Sequence, residues 1–355
     1  MGDPAHFSVR GGANPHTRNL LGLRKRVHAD RAVAQWHTLA RTLTDLGVRV
    51  FVLPAHPACT GLVYPANAGF LPEPIESPPH ARLYLLSRLI PSRAAETPVY
   101  RDFLSALGFA PVQAGHRFEG EADFFPVAKT FVLTTGRIER QRFVPRLGFP
   151  PWRRVYGFRT EAAEEAELAS LVAPRPVLQL TLCDERYYHG DTVLCSFGPR
   201  QEHLLAWLPG LTAESRALIA EHHGPRIIPL ARADAEVYAA NSFGLMSKGK
   251  PFLVMPEGVS ERLLIAVSER GVTPVCADVS EFLKKGGGSV KCMIGDLGEM
   301  ADDEGRFPPE VARFRRERDY RTLYPDFVGP LFEGDLRSSM AGTTAASAAG
   351  HPPLG

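Results

Sequence analysis

Val33, Trp36, Leu39, Ala40, Leu43 and Leu46 recur three or four residues apart, the spacing of one face of a helix. The pattern predicts a helix over residues 30–46 that Gly47 stops. A strand-like apolar run, 48–53, follows at once, and the alternation continues along the chain. Residues 62–71 read as a strand broken by Pro65, and 93–107 as a helix ended by Gly108. The stretches 129–134, 177–183, 192–197, 227–230 and 252–255 are short and β-rich. Toward the C-terminus the spacing predicts a helix over 260–270, a strand over 272–276 and a short helix over 280–285. Ser280 stands where an N-cap would, and glycines follow Lys285 to end the turn. Short strands interleaved with helices predict an α/β domain, although no repeat period is visible.

Composition narrows the class. The 355 residues carry 41 Lys and Arg against 39 Asp and Glu, a net charge of +2, so no global field marks a polyanion partner. Basic residues gather at 137–142, 153–154 and 313–316, but glutamates intersperse or flank them, which argues for a solvated face and against nucleic acid. The five cysteines are odd in number and show no CxxC spacing, as expected of reduced thiols. No apolar run approaches the ~20 residues of a membrane span, and the N-terminus lacks a leader-like apolar core. A cytoplasmic protein with no membrane partner is the expectation. Residues 1–25 read as an extended N-terminal segment and 26–335 as one domain with a Pro- and Arg-rich insertion near 143–158. From 338 to 355 the composition collapses to small residues and proline, the signature of a disordered tail. Homo-oligomerisation stays open.

The chemistry-bearing residues lie in three short motifs. Gly286, Gly287 and Gly288 soften a turn that delivers Cys292. A free thiol with a pKa near ~8.5 needs activation to act as a nucleophile; a helix ends just before this one and Lys291 adjoins it. A buried structural thiol explains the same sequence. His189 stands in Tyr188-His189-Gly190-Asp191-Thr192, and Asp191 points to the same side if the backbone is extended. An imidazole with a pKa near ~6.5 can donate and accept protons, or simply be bonded within a turn. A His-x-Asp pair also suits a metal, but no third ligand motif completes the set, so no metal and no cofactor is expected. Glu119, Glu121 and Asp123 follow Arg117, and carboxylates grip a planar guanidinium through paired hydrogen bonds. An exposed acidic loop remains the plainer reading of that cluster alone. Two acids could also serve glycoside hydrolysis, which would leave the cysteine loop unexplained.

Together these motifs resemble the guanidine-modifying, or pentein, superfamily of amidinotransferases, arginine deiminases and dimethylarginine dimethylaminohydrolases. Asn14-Pro15, Ala34-Gln35-Trp36, the run from Val63 to Gly69, Tyr156-Gly157-Phe158-Arg159-Thr160, Ala239-Ala240-Asn241-Ser242 and Ser280-Glu281-Phe282 carry the same likeness, in order, across about residues 7–297. The resemblance implies a five-bladed α/β propeller with its site at the centre. It implies Cys292 as nucleophile, His189 as general acid and base, and Glu119 as their acidic partner. Asp123 and Asp191 would be substrate-binding carboxylates, with Asn67 near the substrate. The implied reaction is hydrolysis of arginine, a substituted arginine or another small guanidino compound through a covalent thiouronium. Amidino transfer to an amine, and a pentein-fold binding protein without turnover, stay open. Two departures motivate the last alternative: Gly61 stands where relatives often carry an acid, and Gly190 where they usually carry leucine.

Overall fold

The computed structural model describes residues 1–9, 14–19, 22–72, 82–149, 151–299 and 307–327. Helix α1 (Ala29–Asp45) forms where the spacing places it, with Ala32, Trp36, Leu39, Ala40 and Leu43 buried along one face. Val33, expected on that face, is instead 36% exposed, because the buried stripe is centred one residue earlier. Gly47 ends the helix in the left-handed region (φ +85°), with its N–H on the carbonyl of Thr44.

Beyond α1 the chain repeats one arrangement. β1 (Gly69–Phe70) pairs antiparallel with β2 (Leu83–Leu86), which pairs parallel with β3 (Ala110–Gln113) after a crossover through α2 (Glu96–Ala106). β4 (Phe124–Val127) and β5 (Thr130–Thr135) form the next antiparallel pair. The crossover from β5 carries a hairpin, β6 (Arg142–Pro145) with β7 (Trp152–Val155), and then α3 (Glu165–Val172), before β8 (Val177–Thr181) returns parallel to β5. β9 (Leu194–Phe197), β10 (His203–Ala206), α4 (Ala213–His223) and β11 (Ile227–Pro229) make the third unit. After the short α5 (Arg232–Glu236), β12 (Phe243–Ser247), β13 (Lys250–Pro256), α6 (Glu261–Ser268) and β14 (Thr273–Ala277) make the fourth. Each three-stranded sheet is separate, so the fold is mixed α/β with no closed barrel among the described residues. The strand pairing alone therefore does not establish the expected five-bladed propeller.

Two expected strands are corrected. Residues 48–53 make only isolated bridges, Gly2 to Leu53 and Phe51 to Asp319, rather than a ladder. Within 62–71 only β1 is strand: Pro65 opens a 3₁₀ turn, Pro65–Asn67, because its fixed φ and missing N–H suit a turn and not a ladder. Ser280 is likewise not the N-cap of α7 (Ser280–Gly286). Asp278 accepts the Ser280 N–H and Gln35 of α1 accepts that of Glu281, each at 2.9 Å, so the helix start is capped from outside. The Pro- and Arg-rich stretch contains the β6–β7 hairpin, with Phe143, Leu147 and Phe149 exposed. The tail from 338 lies outside the described residues. No helix among those described is long and apolar enough to cross a membrane.

Helix α7 is tied to α1 by one apolar cluster that joins Trp36, Leu39, Leu43, Phe282, Val290 and Met293. Phe282 is fully buried, stacks on Phe7 at 4.8 Å and lends its carbonyl to the hydroxyl of Tyr64 at 3.0 Å. Phe282→Ala should cost about 3–5 kcal/mol of unfolding free energy in a urea titration, because neither wall of the resulting cavity can close it.

Candidate functional site

The strand that opens each sheet is preceded by a turn, and these turns face one another. Pro65–Asn67 precedes β1, Gly120–Ala122 with Glu119 and Asp123 on its flanks precedes β4, Gly190–Thr192 with His189 precedes β9, and Asn241 precedes β12. A further turn, Lys291–Met293, carries Cys292. The Cys292 turn packs on that of Asn67, which packs on that of Glu119, which packs on that of His189. Asn241 closes the circle by donating from Nδ2 to the Asp191 carbonyl at 3.3 Å and to the Cys292 sulfur at 3.1 Å. The structure thus brings Cys292, His189, Glu119, Asp123, Asp191 and Asn67 into one cluster, none more than 3% exposed.

His189 is held from both ring nitrogens. Nδ1 lies 3.0 Å from Oδ2 of Asp123 and Nε2 lies 3.2 Å from Oε2 of Glu119. Burial alone would lower its pKa, but the Asp123 and Glu119 carboxylates outweigh burial and raise it to about 9. The imidazolium therefore donates both N–H groups at neutral pH. Glu119 shows the reciprocal effect: burial would raise it, but His189, Arg159 and Arg93 hold it at about 2. Asp123, expected to touch substrate, is occupied by the protein itself. Oδ1 accepts from Thr134 Oγ1 (2.7 Å) and Gly190 N–H (2.9 Å), and Oδ2 from Thr160 Oγ1 (2.7 Å) and His189. In this geometry it orients the imidazole.

The Cys292 thiol lies 3.4 Å from Oδ2 of Asp191. Burial, and then the Asp191 charge, push its pKa well above the ordinary thiol value, so the resting sulfur is protonated. Burial likewise raises Asp191, to about 6. The neighbouring features do not supply the expected activation. Helix α7 turns its negative C-terminal end toward the loop, and the Lys291 ammonium is taken by Glu121, whose other oxygen accepts the Asp296 N–H at 2.7 Å. Glu119 Oε1 and Asp191 Oδ1 are buried and accept no hydrogen bond from the described residues. Unmatched carboxylate oxygens in the same buried cluster as a sulfur are suited to a planar cation.

Arg93 was not legible as part of this site. Its guanidinium donates to Asn67 Oδ1 at 2.7 Å, lies 3.7 Å from Glu119 and is gripped by both oxygens of Glu96. A Cβ at Gly61 would stand 2.4 Å from Oε1 of Glu96, so a carboxylate occupies the space that an acidic side chain at 61 would need. Gly190 is equally constrained, since a Cβ there would stand 2.3 Å from Thr134 Oγ1. Neither glycine loosens the site. Above the cysteine loop, Asn14 donates to the Gly286 carbonyl at 2.7 Å and Tyr188 OH to that of Gly287 at 2.9 Å. Gly287 holds φ +87°, and a Cβ at Gly288 would stand 2.5 Å from the Tyr64 ring, which explains the glycine run.

Comparison with known proteins identifies relatives of this chain. The family model described as "N,N dimethylarginine dimethylhydrolase, eukaryotic" matches residues 180–298. The N(G),N(G)-dimethylarginine dimethylaminohydrolase of Mycobacterium tuberculosis is 31% identical over 296 residues, 82% of this chain and 83% of that protein. The bifunctional arginine dihydrolase/ornithine cyclodeaminase AgrE of Nostoc sp. is 28% identical over 309 residues, 86% of this chain but only 38% of AgrE. The solved ternary complex of AgrE with ornithine and NAD+ shares the fold at a TM-score of 0.69 and 26% identity, covering 86% of this chain and 39% of that one.

The folded pKa of His189, about 9, lies above its ordinary 6.5. Its charged form therefore contributes stability that is complete below pH 6.5 and lost as pH rises through 9. Unfolding free energies from urea titrations should decline across that window, and His189→Gln should flatten the decline.

Proposed function

Since the chain belongs to the guanidine-modifying superfamily, with dimethylarginine dimethylaminohydrolase and arginine dihydrolase as amidino-hydrolysing relatives, we propose that it hydrolyses a guanidino C–N bond of arginine or a substituted arginine through a covalent intermediate on Cys292. The observation that carries this reading is the pair of unmatched buried carboxylate oxygens, Glu119 Oε1 and Asp191 Oδ1, in the cluster that holds the Cys292 sulfur. A buried carboxylate oxygen without a donor is costly, and a guanidinium supplies both positive charge and a flat array of N–H donors to match it.

The chemistry follows from the protonation states. The arriving cation offsets the Asp191 charge that opposes thiol ionisation, so Cys292 loses its proton to solvent as substrate binds. The thiolate attacks the guanidinium carbon and forms a C–S bond. His189, already protonated, gives its Nε2 proton to the departing nitrogen as the C–N bond breaks, which releases ammonia or an amine and leaves a thiouronium. The neutral imidazole then takes a proton from water, whose oxygen adds to the same carbon. Collapse breaks the C–S bond, returns the electron pair to sulfur, releases the remaining hydroxyl proton to solvent and yields a neutral ureido product with His189 again protonated. Glu119 and Asp191 hold the carbon framework and its positive charge throughout, while Asp123 keeps the ring in place. No cofactor enters these steps.

The same reading takes the described part of residues 26–335 as one catalytic domain. The bridges of Gly2 to Leu53 and Phe51 to Asp319 would then be a reduced fifth unit beside α1, completing a five-bladed propeller. That the ring of turns runs through five positions supports this architecture.

Cys292→Ser should abolish ammonia or amine release from a panel of arginine and N-methylated arginines. Intact mass spectrometry of the wild-type protein quenched during turnover should show a gain confined to the peptide holding Cys292. Undiminished turnover by the serine variant would remove this residue as the nucleophile.

A further inference from the structure

We propose that Asn241 is a further catalytic residue, whose side-chain N–H stabilises the Cys292 thiolate when it forms while its side-chain carbonyl fixes the loop that presents the sulfur. The proposal rests on reading Cys292 as the nucleophile. Asn241 is fully buried and lies two residues before β12, the position in the fourth unit that Asn67, Asp123 and Asp191 hold at or near the leading edges of the others. Oδ1 accepts the Ser289 and Cys292 backbone N–H groups, both at 3.1 Å, and the Asn241 main-chain carbonyl accepts that of Lys291 at 3.1 Å.

These contacts decide which way the amide points. Turning it over would set its NH₂ against two backbone N–H donors and leave all of them unmatched in the interior. Nδ2 is therefore directed at the sulfur (3.1 Å) and the Asp191 carbonyl (3.3 Å). A neutral thiol is a weak acceptor, whereas a thiolate is an anion and strengthens any N–H bond made to it. The bond thus favours the charged form, opposing the burial and the Asp191 carboxylate that disfavour it. It is the side-chain donor that the described residues give this sulfur, since the Lys291 ammonium is directed to Glu121.

The test separates the donor from the loop clamp. In Asn241→Asp the acceptor for Ser289 and Cys292 survives, and the N–H facing the sulfur is replaced by a carboxylate oxygen whose charge also opposes the thiolate; in Asn241→Ala both contacts are lost and no charge is added. The pH dependence of Cys292 alkylation by iodoacetamide, localised by peptide mass spectrometry, reports the sulfur directly and needs no turnover. Loss of one hydrogen bond to a charged group predicts a midpoint about one pH unit higher in Asn241→Ala, tenfold less thiolate at a given pH below it, and a rise at least as large in Asn241→Asp, where the new charge adds to it. An Asn241→Asp midpoint equal to wild type would overturn the proposal and leave Asn241 a loop clamp. Should the alanine variant fail to fold, the aspartate variant alone carries the test. Turnover by Cys292→Ser would unseat the nucleophile without touching the measured midpoint, so the two readings fail separately.

Discussion

Four hydrogen bonds converge on the carboxylate of Asp123, from a β5 threonine, from a threonine beyond the β6–β7 hairpin, from the Gly190 backbone and from the His189 ring. Those donors come from two units and a crossover segment, so one buried side chain registers separate parts of the chain against each other. A carboxylate in the interior is costly unless its acceptor positions are filled in this way. Once they are filled, the imidazole has one orientation, and its second nitrogen is directed at Glu119. The acid–base geometry is thus a by-product of satisfying one buried charge.

The same bookkeeping explains the electrostatics of the cluster. Asp123 and Glu119 share the His189 cation, and Arg93 is matched by Glu96. What is left over is one oxygen on Glu119 and one on Asp191. The protein concentrates negative charge where it also keeps a sulfur, an arrangement that stabilises neither by itself and both when a cation arrives.

Much of this was legible in the primary structure because cysteine, histidine and acids in short glycine-bearing motifs are conspicuous. Each of the six expected residues reaches the cluster, although Asp123 spends its oxygens on the imidazole rather than facing outward. The partners were not legible. Thr134, Thr160, Arg93 and Asn241 are ordinary residues locally, and only tertiary meeting gives them a role; Asn241 was visible merely as part of an Ala-Ala-Asn-Ser run. The fourfold strand arrangement escaped notice for a related reason. Strands as short as Gly69–Phe70 and Ile227–Pro229 carry too few residues for period-two alternation to emerge, and the hairpin in the second crossover breaks any constant spacing. α1 and α7 were read well because their apolar spacing is long or their boundaries glycine-marked, while the capping of α7 by Gln35 was hidden by distance in sequence.

The burial of the Cys292 sulfur has a bearing on how this protein endures its surroundings. A thiol kept protonated and screened from solvent is sluggish toward peroxides, disulfides and stray electrophiles, whose attack depends on an accessible thiolate. Under the proposed mechanism a positive charge alongside the sulfur favours its ionisation, so low background reactivity and selectivity for a cationic substrate share one origin.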